Sequence, residues 1–242
     1  MSRFQFYAVP FAAMVLLLLL CLPETLSPVL AALFPHIEER LFPRSPLYSL
    51  LFQHLLISLT AAVIAAVIGV LLAVAATRRR GRAFLPLIRD ASSLAQTIPP
   101  IAVLALAIPF LGFGFKPVLL ALVLYSILPV LNNTLSALET LPKAILEAAA
   151  GMGMNQLQSF LRVELPLALP MTGAGIRTST VLNIGTAAIA ALAGAGGLGS
   201  PIAAGLIRDN PAWVFQGAVA TALLALTVNA ILLRVEMKLR AK

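Results

Sequence analysis

The sequence predicts an all-α integral membrane protein with about six transmembrane helices. Composition, run length and the placement of basic residues each predict it. Of 242 residues, 60% are apolar and only 11% charged, against roughly 45–50% and 25% in an ordinary soluble domain. A soluble fold of this size has no interior large enough for that much apolar surface. The apolar residues gather in runs near the length of about 20 that a bilayer-spanning helix needs. The formal charge of +8 sits beside those runs, where it orients a membrane chain rather than binding nucleic acid.

The first run, 4–22, carries Gln5 as its one clearly polar residue. Arg3 before it and its short apolar stretch suit a secretory signal, but no A-x-A-like cleavage site follows, so an uncleaved anchor is expected. Cys21, the only cysteine, lies in this run. It excludes an intrachain disulfide, and large Leu20 before it argues against a lipid-anchor site. Run 55–76 is uncharged, and so is 91–115, which Pro99, Pro100 and Pro109 should break or kink. The remaining runs are 117–138, 165–192 (interrupted by Arg177) and 211–233.

Lys and Arg set the direction. With the N-terminus inside, one face collects Arg3, the cluster Arg78, Arg79, Arg80, Arg82 and Arg89, then Lys143, Arg162, Arg234, Lys238, Arg240 and Lys242. The other face receives Arg40, Arg44, Lys116 and Arg208. Both termini and the segment 139–166 are therefore expected in the cytoplasm.

That segment, ETLPKAILEAAAGMGMNQLQSFLRVELP, is the chain's polar exception. Leu141, Ile145, Ala148 and Met152 recur at helical spacing, and Glu139, Lys143 and Glu147 are spaced to pair on another face. Pro142 suits the start of a helix. Gly151 and Gly153 permit a reversal before a second short helix, which Pro166 is expected to end. An amphipathic loop lying on lipid would be richer in Lys and Arg than this nearly balanced stretch. Its alanines and glycines suit close contact with a protein partner.

Here the chain resembles the membrane subunits of bacterial ABC importers. Glu147-Ala148-Ala149, three residues, Gly153, nine residues and Val163-x-Leu165-Pro166 match their E-A-A-x3-G-x9-I-x-L-P signature, with Val in place of Ile. The resemblance implies that Glu147, Ala148, Ala149, Gly151, Gly153, Leu165 and Pro166 couple the chain to a separate ATP-hydrolysing subunit. It extends from about Gln53 onward. QTIPPIAVLALAIPFLGFGFKP, VELPLALP, GIRTSTVLNIGTA and AALAGAGGLGSPI look like permeases of the osmoprotectant family, which import glycine betaine, choline or carnitine. Asn132-Asn133-Thr134 stands where Arg-Asn-Thr is expected. The resemblance implies a type I importer core of five helices at 51–242 with the coupling hairpin at 139–166, preceded by an extra helix and periplasmic segment at 1–50. It also implies a multi-pass protein of the bacterial cytoplasmic membrane. Its partners would be two copies of an ATP-binding subunit, a second permease, identical or related, and a periplasmic or extracellular solute-binding protein.

Gly194, Gly196, Gly197 and Gly199 spell G-x-G-x-x-G, but that fingerprint binds dinucleotides only between a strand and a helix. After a membrane run the glycines instead suggest a tight re-entrant turn enclosed by protein; in the family the corresponding loop lies near the periplasmic mouth, where the binding protein docks. No phosphate-binding G-x-x-x-x-G-K-[ST] motif, metal-ligand cluster or nucleophile–base set occurs, so neither a cofactor nor a catalytic activity is expected. His36 and His54 are expected to be solvated or interfacial, and Trp213 to mark the membrane interface.

Arg177 lies 11 residues past Pro166, about 16 Å along a helix and so near mid-bilayer. It is either a functional group or a residue that snorkels or caps a subunit contact, facing a carboxylate or a carbonyl. Glu164 is the one acid expected near a span. Gln96, Thr97, Asn132, Asn133, Thr178, Thr180, Asn183 and Thr186, with hinge residue Pro99, offer an uncharged path for a zwitterion or merely bond helix to helix. The alternatives are an importer of the same build for methionine or another amino acid, and a secondary carrier. The carrier would call for inverted repeats and membrane acids that are not evident.

Overall fold

The computed structural model describes residues 14–17, 22–78 and 81–240. Within them the chain is helical, with no strand. We number the helices α1 Pro23–Leu33, α2 Leu47–Thr77, α3 Leu85–Thr97, α4 Pro100–Leu111, α5 Phe115–Glu139, α6 Lys143–Gly151, α7 Gln156–Ser159, α8 Leu165–Thr186, α9 Gly199–Ile207 and α10 Pro211–Arg240. Four helical stretches are long and apolar enough to cross a membrane: α2, α5, α10 and the continuous run Gln156–Ala193 containing α7 and α8. The expected first span, 4–22, and Cys21 fall almost wholly outside the described residues.

α2 shows why its sequence is helical and membrane-bound. Tyr48, Phe52, Leu56, Leu59, Val63, Val67 and Leu71 recur every three or four residues and are all exposed, forming an apolar stripe suited to acyl chains. Small Ala61, Ala65, Ala73 and Ala76 are buried on the other side, where they let helices approach closely. The helix begins at Leu47, eight residues before the apolar run. Its first turns carry Gln53 and His54, whose polarity is satisfied inside the protein.

The expected span 91–115 is two helices. Ile98 and Pro99 take extended backbone with ψ 119° and 137°, because a residue preceding proline is driven out of the α region. Pro166, expected to end a helix, sits inside one. The five residues Phe160–Glu164 form a π turn, in which the Leu165 N–H bonds to Phe160 O. A π turn shifts the bonding ladder by one and so absorbs the N–H that Pro166 lacks. The helix therefore runs on from Gln156 into α8.

By internal contacts the chain divides into two compact units whose boundaries fall inside α2, α5, α8 and α10 and between α3 and α4. The first comprises Met1–Ala61, Pro99–Leu122 and Thr180–Ile231. Its core gathers Leu26, Leu30, Leu50, Ile184, Leu198 and Leu224. Edge-to-face ring pairs flank it: Phe34–Phe215 at 5.7 Å and Phe42–Trp213 at 5.5 Å, each worth about 0.5–1.5 kcal/mol beyond the area it buries. Trp213 is thus a buried core residue, 2% exposed, rather than an interfacial marker; Phe42 from the α1–α2 connection covers it.

The second unit comprises Ala62–Ile98, Val123–Ser179 and Leu232–Lys242. Its apolar core is Ala73, Ala76, Leu128, Leu131 and Leu135. α5 and α8 touch backbone to backbone. A Cβ on Gly175 would stand 2.8 Å from both Pro129 O and Asn133 Cβ, and the Ser179 hydroxyl donates to Ser126 O at 2.8 Å. In lipid such close packing, rather than escape from water, holds helices together.

Candidate functional site: a coupling hairpin and polar helix faces

The hairpin is built from local rules. α6 ends in a Schellman motif: Gly153 takes φ +77°, its N–H bonds to Ala150 O at 2.9 Å, and the Met154 N–H reaches Ala149 O at 3.1 Å. Gly153 alone supplies the left-handed residue, since Gly151 is still helical. Asn155 then opens α7 with a capping box. Its side chain accepts from the Gln158 N–H at 2.9 Å, while the Gln158 side chain accepts from the Asn155 N–H at 3.0 Å. Each of these bonds forms within a few residues, so the turn is shaped before any partner arrives.

The predicted stripe faces outward. Ile145, Ala148 and Met152 are exposed, as are Leu157 and Leu161 further on. Ala149, 1% exposed, is the residue of α6 that packs inward, and Leu165 is half-buried. Glu147, Gly151, Gly153 and Pro166 lie open. Nothing stands within 4 Å of a Cβ built at Gly151 or Gly153. The chain thus presents a shallow surface of small residues with apolar side chains beside it, outside any apolar run.

Next to the hairpin, Arg78 at the end of α2 makes a fork of bonds to Glu164: Nη2 to Oε2 at 2.7 Å and Nη1 to Oε1 at 3.3 Å. Its guanidinium lies 4.8 Å from the Phe160 ring centroid. Glu164 lies at a span edge and Arg78 in the basic cluster after α2, so the pairing spans 86 residues and no local pattern announces it.

Arg177 meets a carboxylate, one of the two kinds of partner expected for it. Its Nε lies 2.9 Å from Oε2 of Glu236, whose side chain is 3% exposed. Glu236 corrects the expectation that Glu164 is the one acid near a span: α10 continues to Arg240 and carries Glu236 inside. Among the remaining polar candidates, Asn133 donates to Pro129 O at 2.8 Å and Thr178 to Ala174 O at 3.0 Å. Thr97 donates to Leu94 O at 2.7 Å. These are bonds within single helices. Asn132, Thr178, Thr97 and Pro99 remain exposed, Thr186 is half-buried, and Thr180 and Asn183 are buried. The side chain of Gln96 lies outside the described ones. The structure brings Asn133 against Gly175, one turn from Thr178.

In the first unit, Gly194, Gly196 and Gly197 have φ of +74°, +78° and +79°, a turn that only glycine enters without strain. Gly199 opens α9 beneath it. The turn hangs on two adjacent side chains of α2. Gln53 Oε1 accepts from the Gly197 N–H at 3.2 Å, and His54 Nδ1 accepts from the Leu198 N–H at 3.2 Å. His54 Nε2 lies 2.8 Å from Ile184 O, which fixes the neutral tautomer with its proton on Nε2. His54 is completely buried, so the expectation of a solvated residue is wrong: its partners are backbone atoms 130 and 144 residues away. A cleft of about 350 Å³ opens beside the turn, lined by Phe42, Arg44, Gln53, Gly194, Gly196 and Ser200 among others.

Comparison with known proteins follows the same outline. The family described as "Binding-protein-dependent transport system inner membrane component" matches residues 65–240. The chain is 41% identical over 201 residues to the osmoprotectant import permease protein OsmW of Salmonella typhimurium, covering 81% of this chain and 93% of that one. It is 40% identical over 190 residues to the glycine betaine/carnitine/choline transport system permease protein OpuCB of Bacillus subtilis, covering 78% and 87%. In fold it resembles the MetNI methionine ABC transporter in an inward-facing conformation, with TM-score 0.70, 22% identity and coverage of 80% and 95%.

Proposed function

Because the chain belongs to the binding-protein-dependent transport system inner membrane component family, we propose that it is the permease of an ATP-driven importer for osmoprotectants such as glycine betaine. It is a transport subunit and not an enzyme. ATP hydrolysis resides in a partner subunit, and a solute-binding protein delivers the cargo. The observation that carries the substrate class is the 40–41% identity, over most of the chain, to permeases named for osmoprotectants and for glycine betaine, carnitine and choline. The methionine transporter shares the fold at 22% identity, which does not extend to its solute.

The hairpin is the ATPase-coupling element in this reading. Glu147, Ala148, Gly151 and Gly153 form its open contact surface, Ala149 and Leu165 anchor it inward, and Pro166 follows the π turn. Two permeases, identical or related, would together wall one path and work with two ATPase subunits. Asn132, Asn133, Thr178 and Thr186 would line that path, with Gln96, Thr97, Asn183 and Arg177 near it and Pro99 as a hinge. The Gly194–Gly199 turn would serve the outer gate or the binding-protein contact. The basic residues support cytoplasmic termini, and the apolar run 4–22, counted with α2, α4, α5, α8 and α10, supports six spans. The domain reading keeps 1–50 as an added helix and periplasmic segment before the 51–242 core.

The test is uptake of labelled glycine betaine by cells carrying the whole system, with unlabelled choline, carnitine and methionine as competitors. Wild type should take up betaine, and quaternary amines alone should compete. Gly153→Asp should insert and assemble yet lose uptake, because a charged side chain occupies the open docking surface. Absent betaine uptake by an assembled, ATP-hydrolysing complex would discard the substrate, and normal uptake by Gly153→Asp would discard the docking surface.

A further inference from the structure

The coupling hairpin must move something, and among the described residues a charged link joins it to the end of α2. Arg78 follows the last residue of α2, and Glu164 closes the π turn that joins the hairpin to α8. Their bond is forked, with Nη1 on Oε1 and Nη2 on Oε2. That geometry fixes orientation as well as distance. Phe160, four residues before Glu164, lies under the guanidinium at 4.8 Å, so one cation is gripped by two side chains of a single helical turn. Glu164 is 14% exposed and Arg78 37%, so the pair is shielded on the carboxylate side and reachable from the other. A cleft of about 390 Å³ lined by Val74, Arg78, Gln156, Leu157 and Phe160 leaves space beside it. The link can thus shift without colliding with a packed core.

We infer that Arg78, gripped by Glu164 and Phe160, is a positioning residue that carries the hairpin's displacement into α2, so that ATP-driven movement of α6 and α7 reaches a second helix besides α8. The inference rests on the coupling role proposed above for the hairpin. A π turn is a helix segment with one residue more than its ladder needs, and such turns are frequent at functional sites. Without a lateral tie, a push on the hairpin would be absorbed there. With the tie, the turn and the end of α2 move as one piece. Both partners of Arg78 lie inside the coupling signature, at positions it leaves unspecified: Phe160 among the nine free residues and Glu164 between Val163 and Leu165.

The experiment uses the complete importer reconstituted in proteoliposomes and reads solute taken up per ATP hydrolysed. Glu164→Gln and Arg78→Gln should each lower that ratio about fivefold, the scale of a single coupling contact. Phe160→Leu, which keeps apolar volume but removes the ring face, should lower it about twofold. The exchanged pair Arg78→Glu with Glu164→Arg should recover most of the ratio, which a purely architectural role would not give. An unchanged ratio in assembled Glu164→Gln and Phe160→Leu complexes overturns the inference, as does an exchanged pair no better than the single variants. Gly153→Asp runs alongside. If it uncouples while the pair variants do not, the link alone fails; if it too leaves the ratio intact, the coupling reading fails first.

Discussion

The two units of this chain solve the same problem, polar groups inside a membrane protein, with different chemistry. The first satisfies its buried polarity with neutral side chains on backbone atoms: His54 to Ile184 and Leu198, Gln53 to Gly197, Gln216 to Phe42 and Arg40, and Asn210 to Glu39. The second also has neutral bonds, such as Ser179 to Ser126, but adds charge, with Arg78 on Glu164 and Arg177 on Glu236. A neutral side chain bonded to backbone fixes one loop geometry and has no second partner to exchange with. An ion pair joins two side chains on separate helices and leaves each able to swing. The first chemistry suits a turn that must keep its shape, and the second suits helices that must move while staying joined.

The largest effect should come from the neutral side. His54→Ala empties a fully buried site and strands the Leu198 N–H and the Ile184 carbonyl. Stranded groups cost about 1–3 kcal/mol each, so a loss of roughly 3–5 kcal/mol is expected once the cavity is added. Trp213 is the chain's only tryptophan and lies in the same unit. Its fluorescence during thermal unfolding of the detergent-purified chain reads this directly. A loss under about 1 kcal/mol would mean that the turn holds without its clasp.

Glu236→Gln comes next. It leaves the Arg177 cation beside a neutral amide, and breaking a fully buried pair costs about 3–5 kcal/mol. Arg177 keeps 26% of its side chain exposed, so about 2 kcal/mol is the expectation after solvent screening. Arg177→Met with Glu236→Met should recover much of it, because an apolar pair of similar volume needs no counter-ion. Failure of the double variant to recover would show the pair to be more than a mutual neutralisation.

Smaller still, Ser179→Ala removes one interhelical hydrogen bond between buried partners and should cost about 0.6 kcal/mol, the usual scale for such bonds in membrane bundles. Ionic strength separates the units without mutation. Raising salt from about 0.05 to about 0.5 M shortens the screening length severalfold. The uptake-to-ATP ratio of wild type should then drift toward that of Arg78→Gln, since Arg78 is partly exposed. The unfolding midpoint reported by Trp213 should hardly respond. Equal salt sensitivity in both readouts would erase the contrast.

Sequence legibility followed the range of the interactions. The hairpin is readable because its determinants are local: Gly153 for the left-handed residue, and a fixed spacing from Glu147 to Pro166; the Asn155–Gln158 capping box, equally local, emerges only in the structure. The break near Pro99 was readable for the same reason. Pro166 was misjudged because proline's missing N–H forbids a regular α ladder but not a π turn, and only the neighbouring turns choose between ending and shifting. Glu236 escaped notice because hydropathy ends the last run at 233, whereas the helix continues through its own backbone bonds to Arg240.

By itself the sequence determined the class, the apolar runs, the helical hairpin and its signature, since each depends on composition or on residues within one or two turns. The tertiary structure alone decided that His54 is buried, that Arg78 finds Glu164 and that Arg177 finds Glu236. Those partners lie 59 to 144 residues apart, and no periodicity encodes which helix end meets which. Burial chooses the pairing, because in a medium without water every polar group must find its partner in the protein.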